Sequence, residues 1–269
     1  MTTYGWRARI GVIKATYRPK NFSYWFDTAP AGVEVVPAAI GFRKGEKRGF
    51  LESFERAEEL AHTLRDAGCE LVIVHGAPPF ILRGREFEAQ WRETVQASLG
   101  IPFLTPMQPH VWALKSLGVK KVLAFTYYGD ELNDGLQRYL EEEGIEAVMA
   151  GGLRHDDQEE GLYSTPLKTL DRVDFGEFYR YCKASYARLG EEAKSIECFY
   201  VNGSGWDAGA AVMPLEQDLK VPVLWPQAMY MWATYSALDI CNQREGYGRF
   251  IEQWPALTPP RGAAHPSPG

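Results

Sequence analysis

The sequence lacks the cysteine patterns and long apolar runs that mark disulfide-bonded, zinc-binding or membrane-spanning proteins. Its 269 residues include only four cysteines, with no CxxC pair and no Cys/His set at zinc spacing. No apolar run approaches the roughly 18–20 residues that a membrane span needs. Arg7 and Arg9 lead at once into a strand-like run, which is not the architecture of a signal peptide. We therefore expect a reduced, cytoplasmic protein without a metal site.

The chain also has no excess of positive charge. The chain has 29 Lys and Arg against 35 Asp and Glu, which gives a formal net charge of −6 and a pI of about 5.5. Neither nucleic acid nor an anionic membrane is therefore favoured as a partner. Aromatic residues are numerous by contrast, with 8 Trp, 13 Phe and 14 Tyr, and some can line a pocket. The hydrophobic content of 45% is ordinary for a soluble protein of one large or two small domains.

Three common ligand-binding or catalytic motifs are missing from the sequence. No GxGxxG opens a helix after the first strand, and no GxxxxGK[ST] occurs, so a nucleotide cofactor has little support. No GxSxG nucleophile elbow occurs either, and the run Asn202-Gly203-Ser204-Gly205 only approximates one.

Strands alternate with helices along the chain, which favours an α/β fold with parallel sheets. Apolar runs predict strands at 9–14, 33–37, 71–74, 101–105, 121–126, 145–149, 195–201 and 221–225. Apolar periodicity predicts helices at 50–67, 85–99, 109–117, 132–143, 175–189, 208–219 and 227–240. Residues without either pattern are predicted as a loop at 15–30, a long polar lid, arm or oligomer contact at 151–174, and a disordered tail at 255–269.

Two strands lead into glycine turns of the same shape. Leu71–Val74 is an unbroken apolar run, typical of a strand buried on both faces, and it stops at Gly76. Pro78-Pro79 then opposes both continued strand pairing and a helix. The strand from Cys198 leads in the same way into the turn 203–205. Because ligands of open α/β sheets sit at the carboxyl ends of strands, two similar lobes facing one cleft are predicted.

Several short motifs occur in a characteristic order. They are Arg9-Ile10-Gly11, Gly76 with Arg83-Gly84, the run 116–122, the set Thr126, Tyr128, Asp130 and Asn133, the turn 203–205, Val221-Pro222-Val223 and Trp232. On these residues, which span most of 8–242, the chain resembles the aspartate/glutamate racemase superfamily. Within it, the chain is most similar to the arylmalonate decarboxylase and maleate isomerase branch.

The resemblance implies two Rossmann-like lobes with parallel sheets, related by a pseudo-twofold axis, with the active site in the cleft between them. The lobes would comprise residues 1–118 with 226–254, and residues 119–225, followed by the tail 255–269. Members of the superfamily act on small carboxylates through carbanion or enediolate intermediates or through covalent cysteine chemistry. The resemblance implies no metal and no organic cofactor, so we expect none.

The chain departs from the family where the catalytic thiols belong. By resemblance, these thiols sit at the two strand exits, around Gly76-Ala77 and near Asn202 or Gly203, but neither exit here carries a cysteine. The four cysteines, Cys69, Cys182, Cys198 and Cys241, read as small buried packing residues. The first turn, Ala77-Pro78-Pro79, offers no hydroxyl and lacks two backbone donors, so it suits the wall of an apolar group.

The candidate substrate-binding residues are Gly76, Ala77, Tyr128, Asn202, Gly203, Gly205 and Trp225. Backbone N–H groups at 203–205, near a helix start, suit a carboxylate, although a tight turn would also explain the glycines. Tyr128 matches the family tyrosine that binds the substrate carboxylate, with simple packing as the alternative. Trp225 follows a further strand exit and can line the pocket, or else belongs to the core.

The candidate catalytic residues are His75, Asp207 and Ser204. His75 lies one residue before Gly76 and can exchange protons near neutral pH, and its alternative role is core packing. Asp207 can act as an acid or base, or can simply favour the first turn of a helix. Ser204 as a nucleophile would need a base that its sequence neighbours do not supply.

The favoured hypothesis is a cofactor-independent enzyme on a small organic carboxylate. It would decarboxylate, isomerise or racemise its substrate through an enolate-like intermediate without a catalytic thiol. One alternative is a hydrolase or hydratase in which a side-chain base activates water, and another is a non-catalytic carboxylate-binding protein. The acidic segment 151–174 and the many aromatic residues are compatible with a homo-oligomer.

Overall fold

A computed structural model describes residues 4–15, 19–41, 47–152, 173–203, 205 and 208–257. The chain divides into two compact units. Unit 1 contains Met1–Trp112, Tyr230–Asn242 and Ala256–Gly269, and unit 2 contains Ala113–Met229 and Gln243–Pro255. This division splits residues 226–254, which the sequence-based boundaries place in one lobe as a single piece.

Unit 1 is built on a four-stranded parallel sheet with strand order β2-β1-β3-β4. Its strands are β1 (Ala8–Lys14), β2 (Val33–Ala39), β3 (Leu71–Val74) and β4 (Phe103–Leu104). The helices of this part of the chain are α1 (Pro19–Thr28), α2 (Lys47–Asp66), α3 (Pro78–Arg83), α4 (Arg85–Leu99) and α5 (Met107–Ser116).

Unit 2 has a second four-stranded parallel sheet, with strand order β6-β5-β7-β8. Its strands are β5 (Lys121–Thr126), β6 (Glu146–Gly152), β7 (Cys198–Val201) and β8 (Val223–Leu224). The helices that follow α5 along the chain are α6 (Asp130–Glu142), α7 (Phe175–Arg188), α8 (Gly209–Leu219), α9 (Pro226–Ala237) and α10 (Arg249–Gln253), with a 3-10 helix at Gly190–Ser195. Helices α5 and α9 each contribute residues to both units.

The two sheets repeat one topology, which confirms the predicted α/β class with parallel sheets. The correspondence between the two sheets extends to individual backbone hydrogen bonds at the strand ends. The His75 N–H donates to the Ile13 carbonyl at 2.8 Å, and the Asn202 N–H donates to the Phe125 carbonyl at 2.9 Å. By this register His75 corresponds to Asn202, and the residues after Ile13 and Phe125, namely Lys14 and Thr126, also correspond.

Burial explains why these strands form. Every residue of β3 and of β7 is buried, as expected for parallel strands covered on both faces. In unit 1, α2 packs against β1 at Gly11, where an added Cβ would lie 2.9 Å from Leu64 Cδ1. This close approach requires glycine in the strand, and it seats Ala57 and Ala61 of α2 in the same core.

Two predictions made from the sequence are wrong, and each concerns a segment in which a helix begins with proline. Residues 15–30 were predicted as a loop, but α1 spans Pro19–Thr28 because Phe22 and Trp25 recur at helical spacing and are buried. Pro78-Pro79 was predicted to oppose a helix, but both prolines occupy the first turn of α3. The first-turn N–H groups have no partner inside a helix, so proline is tolerated there.

Some predictions fall outside the described residues. The polar segment 151–174 overlaps β6 up to Gly152, and 153–172 are not described. The same holds for Ser204, for Asp207 and for residues 258–269 of the predicted tail. Within the described part of the chain, no helix combines the length and the apolar character that crossing a membrane requires.

Candidate active site

A lysine and a histidine meet at the carboxyl ends of two neighbouring strands in unit 1. Lys14 is the last residue of β1, and His75 directly follows β3. Since Ile13 pairs with Val74, the next residue of each strand lies beside its neighbour. Lys14 Nζ lies 2.7 Å from His75 Nδ1, and the two side chains are 1% and 2% exposed. We call Lys14 and His75 the amine–imidazole pair.

Aromatic rings surround the amine–imidazole pair. The ring of Tyr230 lies 3.9 Å from that of His75, and the ring of Trp25 meets His75 edge-on at 5.7 Å. His110, which is fully buried, lies 5.2 Å from Tyr230. Within the described residues, Lys14 Nζ has His75 as its hydrogen-bond partner and has no carboxylate partner, and His75 Nε2 has no partner.

This burial changes the charge state of the pair. Desolvation lowers the pKa of Lys14 from 10.5 to about 7. Desolvation also lowers the pKa of His75 well below its usual value, with smaller contributions from the charges of Lys14 and His110. The imidazole is therefore neutral at neutral pH, while Lys14 is present both as ammonium and as free amine. An amine in that state can give or take a proton, or can attack an electrophile.

His110 is a poor acid or base in this environment. Burial lowers its pKa to about 3, so its imidazole stays neutral at physiological pH. It contributes a ring and a neutral polar group to the surroundings of the amine–imidazole pair.

In unit 2, the equivalent strand ends carry a hydrogen-bonded cluster of two tyrosines and an asparagine. The Tyr128 hydroxyl donates to Asn202 Oδ1 at 2.8 Å, and Asn202 Nδ2 donates to the Tyr200 hydroxyl at 2.6 Å. All three side chains are 1% exposed or less. We call Tyr128, Asn202 and Tyr200 the tyrosine–asparagine cluster. It brings together two residues that the sequence predicted to bind substrate.

The backbone of Tyr128 is also held in place. Asn133 Nδ2 donates to the Tyr128 carbonyl at 3.1 Å, and the Tyr128 N–H donates to Thr126 Oγ1 at 3.2 Å. Thr126 Oγ1 in turn donates to Asn133 Oδ1 at 2.6 Å. The position of the Tyr128 hydroxyl is therefore fixed by β5 and the first turns of α6.

The turn after β7 has no room for a side chain. Gly203 has a φ of +110°, and an added Cβ would lie 2.4 Å from Tyr127 Cε1. The Tyr127 ring therefore occupies the space that a side chain at position 203 would need. The Gly205 N–H, predicted to bind a carboxylate, donates to the Tyr127 hydroxyl at 3.3 Å. Its neighbour Ser204 lies outside the described residues.

The remaining predicted residues occupy separate positions at strand ends. Gly76 has a φ of +115°, and an added Cβ would lie 3.1 Å from the Ala15 Cβ. Ala77 is buried at the start of α3, and Trp225 is buried directly after β8. Their roles in substrate binding stay predictions.

Three of the four cysteines are poor candidates for a catalytic nucleophile. Cys69, Cys182 and Cys198 are buried, and desolvation raises the pKa of each thiol, that of Cys69 to about 11. A thiol with a raised pKa is a poor nucleophile at neutral pH. Cys241 is exposed, so its prediction as a buried packing residue is wrong. Among the residues with described positions, no group of three or more His, Cys, Asp or Glu could hold a metal ion.

Sequence reasoning missed Lys14. The available signal was a lysine that closes the otherwise apolar strand 10–14 and stands at a strand exit. A lysine in this position is usually interpreted as the solvent-exposed end of a strand. Only the pairing of β1 with β3 shows that Lys14 contacts His75.

Comparison with known proteins shows that this chain is similar in sequence to arylmalonate decarboxylases. A family model described as arylmalonate decarboxylase matches residues 30–251. The chain is 25% identical to an arylmalonate decarboxylase from Bordetella bronchiseptica over 219 residues, which cover 81% of this chain and 86% of the relative.

Solved structures share the fold over most of the chain. A variant of arylmalonate decarboxylase with one glycine changed to cysteine and one cysteine changed to serine, in a liganded form, has a TM-score of 0.78 at 20% identity. This match covers 91% of this chain and 99% of that protein. The maleate isomerase from Pseudomonas putida S16 has a TM-score of 0.76 at 15% identity and covers 92% and 99%.

Proposed function

The chain belongs to the arylmalonate decarboxylase family, and from this premise we propose that it is a cofactor-independent enzyme acting on a small organic carboxylate without a catalytic thiol. The reaction would be a decarboxylation or an isomerisation through an enolate-like intermediate. The observation that carries the proposal is the buried amine–imidazole pair at the ends of β1 and β3. It supplies proton-transfer groups next to a strand exit at which, by resemblance, other members of the superfamily carry a catalytic thiol.

Lys14 is the better proton carrier of the two. General acid–base catalysis is most efficient when the pKa of the group lies near the working pH. The pKa of Lys14, about 7, meets this condition, whereas that of His75 is far lower. His75 instead accepts or donates the hydrogen bond that holds Nζ in place. The ammonium form of Lys14 would also stabilise negative charge that develops on an enolate.

The tyrosine–asparagine cluster supports binding of the substrate carboxylate. The Tyr128 hydroxyl now donates to the neutral oxygen of Asn202. A carboxylate that accepted this hydrogen bond would replace a neutral interaction with a charge-assisted one, which is roughly twice as strong. Asn202 would keep its bond to the Tyr200 hydroxyl and so remain oriented.

The turn after β3 supports an apolar substrate group. Pro78 and Pro79 remove two backbone donors, and both are buried with Phe80 and Ile81 in α3. Such a surface stabilises an aryl or alkyl group by burial but offers nothing to an oxyanion. We therefore propose that the substrate carries an apolar substituent beside its carboxylate.

The test is proton NMR of the purified protein in deuterated water, with arylmalonates, maleate, aspartate, hydantoins and small lactones. Deuterium at a substrate carbon, with or without loss of carbon dioxide, is the expected result. A product that has gained a hydroxyl group from water would instead assign a hydratase, and ring opening without exchange at carbon would assign a hydrolase. Absence of any turnover, together with carboxylate binding by calorimetry, would assign a binding protein.

Two variants with matched controls make this test specific. Lys14→Met should abolish exchange, whereas Lys194→Met changes an exposed lysine and should not. His75→Gln should reduce exchange, whereas His62→Gln, on the outer part of α2, should not. Turnover that survives both Lys14→Met and His75→Gln would contradict the site assignment.

A further inference from the structure

The turn after β3 offers little to stabilise an anionic intermediate, and this raises the question of what would take that role. The turn 76–79 has no thiol, no hydroxyl and two N–H groups fewer than a turn without proline. A decarboxylation leaves an electron pair on carbon that must be delocalised, and oxyanion stabilisation normally supplies a large part of the catalysis. A different electron acceptor is therefore needed.

We propose that Lys14 is a covalent nucleophile, and that its amine forms a Schiff base with the ketone of a small 3-oxo carboxylate, which the enzyme decarboxylates. The inference deepens the proposed function and rests on it, because it names the substrate class for the same strand ends. A protonated imine accepts the electron pair released on loss of carbon dioxide, and it needs no oxyanion donors from the protein.

The position of the amine supports this role. Lys14 ends the central strand of its sheet, beside the exit of β3, and its Nζ lies 2.7 Å from His75 Nδ1. No carboxylate among the described residues holds it as ammonium, and the titratable group in contact with it is the neutral imidazole of His75, against which the Tyr230 ring packs. Lysines that are desolvated in apolar surroundings act as nucleophiles in this way.

The chemistry balances without an oxidant or a further reactant. The Lys14 amine attacks the ketone carbon, a C–N bond forms, and the amine proton passes through the His75 hydrogen bond to the former carbonyl oxygen. A second proton, taken up from solvent, lets that oxygen leave as water, and an iminium remains. The bond between the α-carbon and the carboxylate breaks, carbon dioxide leaves, and its electron pair forms an enamine. A proton adds to the enamine carbon, and water hydrolyses the iminium to release the ketone and restore the amine.

The geometry assigns a distinct part to His75. Its Nδ1 fixes the direction of the Lys14 lone pair, and its buried Nε2 has no hydrogen-bond partner within the described structure. His75 is therefore a positioning residue for Lys14. Its replacement should slow formation of the Schiff base without removing the nucleophile.

The experiment is reductive trapping with sodium borohydride. The full-length protein is incubated with acetoacetate or with benzoylacetate, borohydride is added, and the intact mass and the tryptic peptides are measured. The expected result is a single adduct on the peptide that contains Lys14, dependent on the oxo acid. Mapping in the wild-type chain locates the adduct even if a variant fails to fold.

Variants then separate the nucleophile from other lysines. Lys14→Met should lose the adduct completely, Lys194→Met should keep it, and His75→Gln should form it at least tenfold more slowly. An adduct elsewhere, an adduct that persists in Lys14→Met, or no adduct at all would overturn the inference.

Failure of this inference is distinguishable from failure of the proposed function. If the wild-type protein incorporates deuterium into an arylmalonate product but is not trapped with either oxo acid, the Schiff base is wrong and thiol-independent proton transfer stands. If neither trapping nor any deuterium incorporation occurs, the proposed function fails as well.

Discussion

Lys14→Met is expected to stabilise the protein while abolishing its turnover. The amine is almost fully buried, and its pKa falls from 10.5 to about 7 on folding. Each pKa unit corresponds to about 1.4 kcal/mol, so folding with a protonated Lys14 costs about 5 kcal/mol. Methionine has similar length and flexibility and carries no charge, so it fills the same space without that cost.

The sign of the pH dependence follows from the two pKa values. The unfolded chain keeps this proton up to a pH of about 10.5, but the folded chain releases it near 7, so the unfolded state binds more protons between these values. The destabilisation that the buried Lys14 causes therefore decreases as the pH rises over that window, and it has its full value below pH 7. The advantage of Lys14→Met should be about 5 kcal/mol at pH 6 and about 2 kcal/mol at pH 9.

Urea unfolding of the wild-type protein, Lys14→Met and Lys194→Met at both pH values measures this difference. Lys194 is 75% exposed at its side chain and should show no comparable effect. A Lys14→Met variant that is no more stable than wild type, or whose advantage is the same at pH 6 and pH 9, would refute the reasoning. The same samples give turnover, which Lys14→Met should lose.

Three further predictions concern the strand ends. His75→Gln should keep the fold, measured by circular dichroism, and lower kcat by about 10²-fold, the loss that a small misplacement of Lys14 can cause, whereas His62→Gln should leave both the fold and kcat unchanged. Gly203→Cys should lower the free energy of unfolding by roughly 1–3 kcal/mol, because the new side chain meets Tyr127 at a positive φ, and thermal unfolding should show partial recovery when Tyr127→Ala is added. Tyr128→Phe should lower the free energy of unfolding by about 1–3 kcal/mol, because Asn202 loses a buried hydrogen-bond donor. It should also raise KM more than it lowers kcat, and an unchanged KM would argue against carboxylate binding at Tyr128.

The regular part of the fold was predictable from local pattern. Unbroken apolar runs identify strands such as Leu71–Val74, because both faces of a parallel strand are buried. One error arose because Pro78-Pro79 was read as opposing a helix, although both prolines stand in the first turn of α3, where a missing N–H costs nothing. The other arose because the helical spacing of Phe22 and Trp25 in α1 was not recognised.

The candidate site was only partly predictable from the sequence, because part of it depends on sheet order and tertiary contacts. His75 and Asn202 directly follow a strand and Tyr128 stands two residues after one, so the strand-end rule identifies them. Lys14 depends on which strand lies beside β3, which is a property of sheet order and not of local sequence. The contact of Tyr127 with Gly203 is likewise tertiary, and it explains why a glycine, and not a thiol, stands there.

The most direct test of thiol-independent carbanion chemistry is deuterium incorporation by a chain without cysteine. Cys69, Cys182, Cys198 and Cys241 would all be replaced by alanine, and the rate of carbon-bound deuterium incorporation into substrate in deuterated water would be compared with that of wild type and of Lys14→Met. We expect the cysteine-free protein to keep the wild-type rate of deuterium incorporation and Lys14→Met to lose it. Loss of incorporation in a folded cysteine-free protein, with full incorporation in Lys14→Met, would contradict it.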